Sequence, residues 1–599
     1  SRNRNIYSDN WSMCDDLGEK IMKKVLVNLI ESFLSFFGIL IYTRLIYNYG
    51  SYNLLITLLF LILFIFFYKY KLSLNKKQER YSIIISLLLS LMLSIGNMVN
   101  LYIEEVNYIF NLKNLFLTIL CFFGLFILFY KLFGILFYKL KKIEVIEAHN
   151  KMKIKTFILM IGVIFIGYFL YFIRFYPAIM TPDSYYVIHY ANNFILSDYH
   201  TFGHTWFFGI FFHLGKFLFH SLSKSIAFST LVQMLCMSLI FSTSIRYFYN
   251  KGLNKKICIF LTLFFAFNPL HAHYSITLWR DIMFGGSFLL ILICLYEFIS
   301  SKSKIKIAYI ILFIIGVLIM LFFRNNGIYV YLFCIPFIIG FMKNKRIMMS
   351  IITISIACFY FVIKGPVFDY FNIEKTTSVE AFSIPLQQIA RVIALDKNIT
   401  AKDEKYLKKL FIDYDKVSTE YKPYISDPIK SLANNEILSD NKRDFLDTYL
   451  HLFTKYPNIY FEAYFSQTLG YWYPDVIYAS TGGESVGFFP EENIRNTPLT
   501  PKWYNKVIDI SVSRKIPLSN IIWSLGLQFI ILLISFVMTM YFGNKKYLLC
   551  YIPLFGLWLS LMASTPVFCE LRYIYGLFTC SPFLVFLPFI IKKEKIIND

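Results

Sequence analysis

The sequence predicts an all-α polytopic membrane protein of about fourteen transmembrane helices, with interfacial helices and a small, mainly helical extracytoplasmic domain. Three observations lead there. Of 599 residues, 57% are hydrophobic, the mean hydropathy is +0.56, and the apolar residues come in long blocks. The net charge of +22 sits in short Lys/Arg clusters on alternate connections between those blocks, a positive-inside pattern that argues against nucleic acid as partner. One stretch, 364–518, is instead mixed in charge and rich in helix starts.

Taken in order, the apolar blocks predict spans at 25–47, 52–68, 82–102, 114–138, 156–173, 225–245, 257–268, 283–299, 307–322, 328–341, 347–363, 519–541, 547–563 and 573–591. The basic connections are 69–80, 139–155, 246–256, 301–306, 343–346, Asn544–Lys546 and the tail "KKEK" from 592. These read as cytoplasmic, which puts both termini inside and the other connections outside a cytoplasmic membrane. Lys20, Lys23 and Lys24 precede a full-length first span, predicting a retained anchor.

The run "HTWFFGIFFHLGKFLFH", 204–220, would reverse every later connection if it crossed. Its aromatic, Lys and His content predicts an interfacial helix instead. Ser378, Thr400 and Ser439 open helical patterns within 364–518. The ten cysteines lie almost wholly inside apolar segments without metal-type spacing, as small core hydrophobes do. The organisation is therefore an N-terminal four-helix membrane bundle (1–150), a transmembrane core (151–363) with a first outer loop at 174–224, an extracytoplasmic domain (364–518) and C-terminal transmembrane helices (519–599).

Polar residues gather at the outer ends of spans: Asp183 in "TPDSYY"; Asp198, His200 and His204 in "SDYHTFGHTW"; His271, His273, Arg280 and Asp281 in "NPLHAHYSITLWRD"; Arg324, Asn325 and Asn326 in "FRNNG"; Gln387, Gln388 and Arg391 in "SIPLQQIAR"; Glu570, Arg572 and Tyr573 in "ELRY". Ionisable groups at membrane depth are costly unless they line a cavity, and one outward-facing cavity would account for all of them. Each also has a bland reading: Asp183 as a helix cap, Arg280 and Arg324 as headgroup residues, "YWYP" at 471–474 as an interfacial anchor. An acid that can take a hydroxyl proton, arginines that suit a phosphate and amides that suit sugar hydroxyls together predict sugar transfer from a lipid phosphate.

These residues resemble the GT-C class of integral membrane glycosyltransferases, which includes protein O-mannosyltransferases and the aminoarabinose transferases of lipid A. "YPAIMTPDSYY" is similar to that class's first outer loop with its Asp, and "HTWFFGIFFHLGK" to the interfacial stretch that follows. The likeness covers roughly 156–591 and is nearest to GT-C-like proteins of low-GC Gram-positive bacteria. Asp183 is followed by Ser184 where the mannosyltransferases have an Asp-Glu pair, and the oligosaccharyltransferase motif WWDYG is absent.

The resemblance implies a polyprenyl-phosphate-linked sugar donor and a cell-envelope acceptor: a teichoic acid or other glycopolymer, a lipid or a protein. Asp183 would be the general base and Asp281 a second acid. Arg280, Arg324, Arg391 and Arg572 would bind the donor phosphate, while His200, His204, His273, Asn325, Gln387, Gln388 and Glu570 would contact substrate. The resemblance fixes no cofactor, and Asp183, Asp281 and Glu570 offer carboxylates for a divalent metal. A transporter or flippase of lipid-linked sugars, and an O-antigen-type polymerase or ligase, are the rival readings.

Overall fold

The computed structural model describes residues 3–44, 53–70, 73–140, 146, 150–199, 201–301, 305–395, 397–476, 496–513, 516 and 519–598. The chain divides into two compact units, Ser1–Ile143 and Glu144–Asp599. Among the described residues there is no β-strand, only isolated bridges.

The first unit holds α1 (Asn3–Tyr42), α2 (Asn53–Lys69), α3 (Lys76–Tyr102) and α4 (Leu112–Lys139). Asn75 and Gln78 form a capping box that starts α3, and Asn111 caps α4. Small residues bring the helices together, as they do where lipid removes the hydrophobic drive between helices. A Cβ on Gly38 of α1 would lie 2.8 Å from the Gly124 backbone of α4, and Ser82, Ser86, Ser90 and Ser94 line the buried face of α3.

The second unit begins with α5 (Ile154–Arg174), α6 (Pro182–Asn192), α7 (Phe202–Phe219), α8 (Leu222–Asn250), α9 (Lys255–Phe267) and α10 (Pro269–Ser275). Then follow α11 (Arg280–Ser300), α12 (Ile307–Phe323), α13 (Gly327–Phe341), α14 (Arg346–Val362), a π-turn at Ile363–Val367 and α15 (Phe368–Tyr370). α11 is the axis of this unit. It is buried without a break from Asp281 to Tyr296 because α8, α12 and the later helix Tyr575–Leu584 pack on it.

A helical domain comes next: α16 (Ser383–Ala394), α17 (Ala401–Leu410), α18 (Lys416–Glu420), α19 (Asp427–Leu432), α20 (Asn435–Asp440), α21 (Lys442–Lys455) and α22 (Pro457–Thr468). Its core, including Leu386, Ile389, Leu407, Leu452 and Tyr460, closes around α16. The chain returns through α23 (Lys502–Val512), α24 (Asn520–Trp523), α25 (Leu525–Phe542), α26 (Ile552–Ala563), α27 (Tyr575–Leu584) and α28 (Leu587–Asn598).

This is an all-α, multi-pass membrane protein. Nine described helices are long and apolar enough to cross a bilayer, or eleven if each of two bent pairs is one span. α9 and α10 bend by 55° where Asn268 caps a new helix opened by Pro269. The remaining expected spans are shorter apolar helices at Ile56–Lys69, Ile307–Phe323 and Gly327–Phe341. α7 is not among the helices with spanning hydropathy.

Candidate functional site

The site grows from two laced loops. After α5 the chain leaves as residues 175–181, and Ile179 donates its N–H to Ile276 O at 3.0 Å while Leu278 donates to Ile179 O at 3.2 Å. This pairing brings the loop before α6 against the loop before α11. Trp279 then donates its indole N–H to Thr181 Oγ1 at 2.7 Å, and Ser184 Oγ donates to Leu278 O at 3.0 Å.

Thr181 and Ser184 form a capping box and Pro182 opens the first turn of α6. The cap of that helix is therefore Thr181, which leaves the Asp183 carboxylate available for another partner. That partner is Arg572, on the turn Leu571–Ile574 far along the chain, whose Nη1 hydrogen-bonds Asp183 Oδ2. Arg572 Nε lies 3.6 Å from Glu570 Oε1, and the guanidinium sits 5.0 Å from the Trp279 ring and 5.2 Å from the Tyr573 ring.

A second acid–guanidinium pair stands beside the first. Arg324, at the end of α12, donates to Asp281 in the first turn of α11. Its guanidinium lies 4.2 Å from the Tyr573 ring, so Tyr573 contacts both arginines. The carboxylates differ in access. Asp281 is 1% exposed, whereas the side chain of Asp183 is 34% exposed. Arg280 donates from the rim to Tyr199 O at 3.1 Å.

An adjoining cluster organises the neighbouring loops. Lys364, on the π-turn that continues α14, pairs with Asp198 at 2.5 Å and donates to Asn325 Oδ1 at 3.2 Å. Asn325 Nδ2 in turn donates to Thr376 Oγ1 at 2.7 Å. Asp198 Oδ1 accepts from Phe202 N at the start of α7, so one carboxylate fixes α7, α14 and the turn that carries Arg324.

The structure thus gathers Asp183, Asp281, Arg280, Arg324, Arg572 and Glu570, sets Asn325 in the adjoining cluster, and turns the rest of the expected set to other partners. Gln387, Gln388 and Arg391 face the interior of the helical domain, because α16 is its central helix. Gln387 Nε2 donates to Lys422 O at 2.7 Å, Gln388 Nε2 to Tyr460 O at 3.1 Å, and Arg391 Nη2 to Glu462 at 2.9 Å. Burial opposes the charge on Arg391, yet Tyr421 and Glu462 against it hold its pKa above the ordinary arginine value. His204 packs edge-on against Phe323 and His273 against Phe175, both buried. His200 lies outside the described residues.

The clusters expected to line one cavity therefore have separate partners: the acid–guanidinium pairs, the Asp198–Lys364–Asn325 cluster and the interior of the helical domain. "YWYP" also differs from its expected interfacial role: Tyr471, Trp472 and Tyr473 are buried. Tyr471 receives a hydrogen bond from Glu570 N at 3.2 Å and donates to Val567 O at 2.9 Å, so it shapes the segment that presents Arg572. Sequence reasoning gave no role to Trp279 or Lys364, although the tryptophan stands inside the "LWRD" stretch. Among the described residues no three His, Cys, Asp or Glu side chains gather as metal ligands. Asp183, Asp281 and Glu570 each face an arginine instead, so this set does not fit the divalent metal that its carboxylates offered.

The class defined by this fold and site is a multi-pass α-helical membrane protein with a paired carboxylate–guanidinium cluster at one end of its core. A family model matches residues 25–598, and the chain belongs to that family, the family of unknown function DUF6020. No curated protein and no solved structure matches the chain.

Proposed function

We propose that the protein is a GT-C-type glycosyltransferase. It moves a sugar from a polyprenyl-phosphate-linked donor to an acceptor hydroxyl of a cell-envelope glycopolymer, outside the cytoplasmic membrane. One observation carries the reading: a partly exposed carboxylate, Asp183, rests on Arg572 beside the buried Asp281–Arg324 pair, with Tyr573 against both guanidiniums.

The chemistry follows from the difference between the acids. Asp281 is enclosed and holds Arg324 in place, so it positions rather than reacts. Asp183 is open to an acceptor. An arriving lipid phosphate competes with Asp183 for Arg572 and frees the carboxylate. Asp183 then takes the proton of the acceptor hydroxyl while the hydroxyl oxygen bonds to the anomeric carbon. The bond from that carbon to the phosphate oxygen breaks, and the electron pair leaves on a phosphate neutralised by Arg572 and Arg324.

The outer side is supported by α11. Its first residue, Arg280, belongs to the site, and its last turn meets Lys251 and Lys345: Lys251 pairs with Glu297 at 2.9 Å, and Lys345 donates to Phe298 O and Ser301 O. A helix of 21 residues spans roughly 30 Å, one hydrocarbon thickness, from the basic end to the site.

The test is transfer by the full chain in nanodiscs, from undecaprenyl-phosphate-linked radiolabelled hexoses to isolated envelope glycopolymer. Asp183→Asn is expected to slow transfer by ~10²–10⁴ while donor still binds. Full activity in that variant would remove Asp183 as base. Movement of unmodified donor between leaflets without product would make the protein a flippase.

A further inference from the structure

α23 has a face that the site does not use. Its inner side is fastened to the last turn of the span α5. Tyr504 donates its hydroxyl to Leu170 O at 2.8 Å, Tyr171 and Ser511 share a hydrogen bond of 2.9 Å, and Arg174 grips Asp509 through two bonds of 3.1 Å. α23 therefore lies at the depth where that span reaches the membrane surface. Its opposite side shows Trp503 at 69%, Val507 at 57% and Ile510 at 45% exposed. Spacings of four and three residues put these on one stripe. Beside the stripe runs an open groove of about 360 Å³ lined by Lys502, Asn505, Lys506, Asp509, Ile510 and Ser513. The one acid among its described lining residues, Asp509, is held by Arg174, so the two lysines set its sign.

We propose that α23 is a lipid-surface anchor: the Trp503–Val507–Ile510 stripe enters the acyl boundary, and the lysine groove takes the phosphate headgroups of anionic lipids. An apolar stripe flanked by lysines at headgroup depth is what an interfacial helix requires. The anchor is tied to the loop that leads to Asp183. Leu499 N donates to Ile173 O at 2.9 Å, Thr497 N to Tyr176 O at 2.8 Å, and Asn496 Nδ2 to Phe175 O and Ala178 O at 2.8 and 2.6 Å. Lipid held on α23 thus fixes 173–178 relative to the bilayer. This inference stands on its own observations and does not need the transferase reading.

The test uses the full chain in nanodiscs of phosphatidylcholine, with or without phosphatidylglycerol. Wild-type fluorescence minus that of Trp503→Phe isolates the Trp503 signal. Lipids brominated near the headgroup are expected to quench it at least about twofold, and aqueous iodide to leave it unchanged. Phosphatidylglycerol retained through purification, counted by native mass spectrometry, is expected to fall about fivefold for each lysine replaced in Lys502→Gln and Lys506→Gln. Should Trp503→Phe lower the yield, amide exchange across 502–512 in the wild type, with and without phosphatidylglycerol, gives the same reading. Iodide quenching without bromolipid quenching would overturn the proposal. Shielding that appears only with several copies per disc would overturn it too, making the face a contact between copies. Unchanged lipid retention in the lysine variants would overturn the headgroup assignment.

Discussion

Asp183 and Asp281 are the same carboxylate in two settings, each on a guanidinium that also contacts Tyr573. Exposure alone separates their roles, and no sequence pattern reports exposure. What was legible is that acids and arginines collect at span ends. What was not is which arginine meets which acid, since Arg572 and Asp183 are 389 positions apart. The same limit explains Gln387, Gln388 and Arg391: a helix buried on several sides carries polar residues for its own domain as readily as for a ligand. Arg391 gives a sharp check. It and Glu462 are both almost fully buried, so Arg391→Met leaves Glu462 without its countercharge and is expected to cost about 3–5 kcal/mol. The midpoint of thermal unfolding in detergent should drop, whereas donor binding by protein that remains folded should be unchanged. A variant of normal stability that no longer binds donor would return Arg391 to the site.

At the scale of elements, apolar block length was the strongest signal, and each expected span coincides with a helix, a bent pair or a shorter apolar helix. The bends were not legible, because Asn268-Pro269 reads equally as a loop or as the start of a new helix. α23 was also not legible, being only 11 residues long within a stretch read as one domain. The loop that leads to Asp183 depends on how α5 seats against α9. A Cβ on Gly167 of α5 would fall on the Ala266 carbonyl of α9, whereas one on Gly162, on the same helix, would meet nothing within 4 Å. Gly167→Val is therefore expected to overpack the crossing by roughly 1–3 kcal/mol, and Gly162→Val to be near neutral. Comparing their unfolding midpoints tests this. Equal midpoints would mean that the α5–α9 approach is not close.

For the whole molecule, the side on which the site works is set by which end of α11 faces out. The basic turns 246–256, 301–306 and 343–346 each carry the charge pattern of a cytoplasmic connection, and Lys251 and Lys345 from two of them meet at the end of α11 around Glu297, Phe298 and Ser301. At the other end the helical domain docks on the segment that carries Arg572: Ser426 N donates to Pro566 O at 2.8 Å, Phe568 N to Tyr424 O at 3.0 Å, and Gln467 Nε2 to Thr565 O at 2.8 Å. Domain and site therefore share a side, and one label reports on both. Cysteines introduced at Glu420, exposed in the domain, and at Lys255, exposed at the start of α9, are suitable positions. With positive-inside orientation, a membrane-impermeant maleimide should label Glu420→Cys in intact cells above the background of the parent protein. Lys255→Cys should react only after the membrane is opened. The reverse pattern would place the carboxylate–guanidinium cluster in the cytoplasm, where nucleotide-linked sugars rather than outward-facing polyprenyl phosphates are the available donors, and transfer outside the membrane could not be its work.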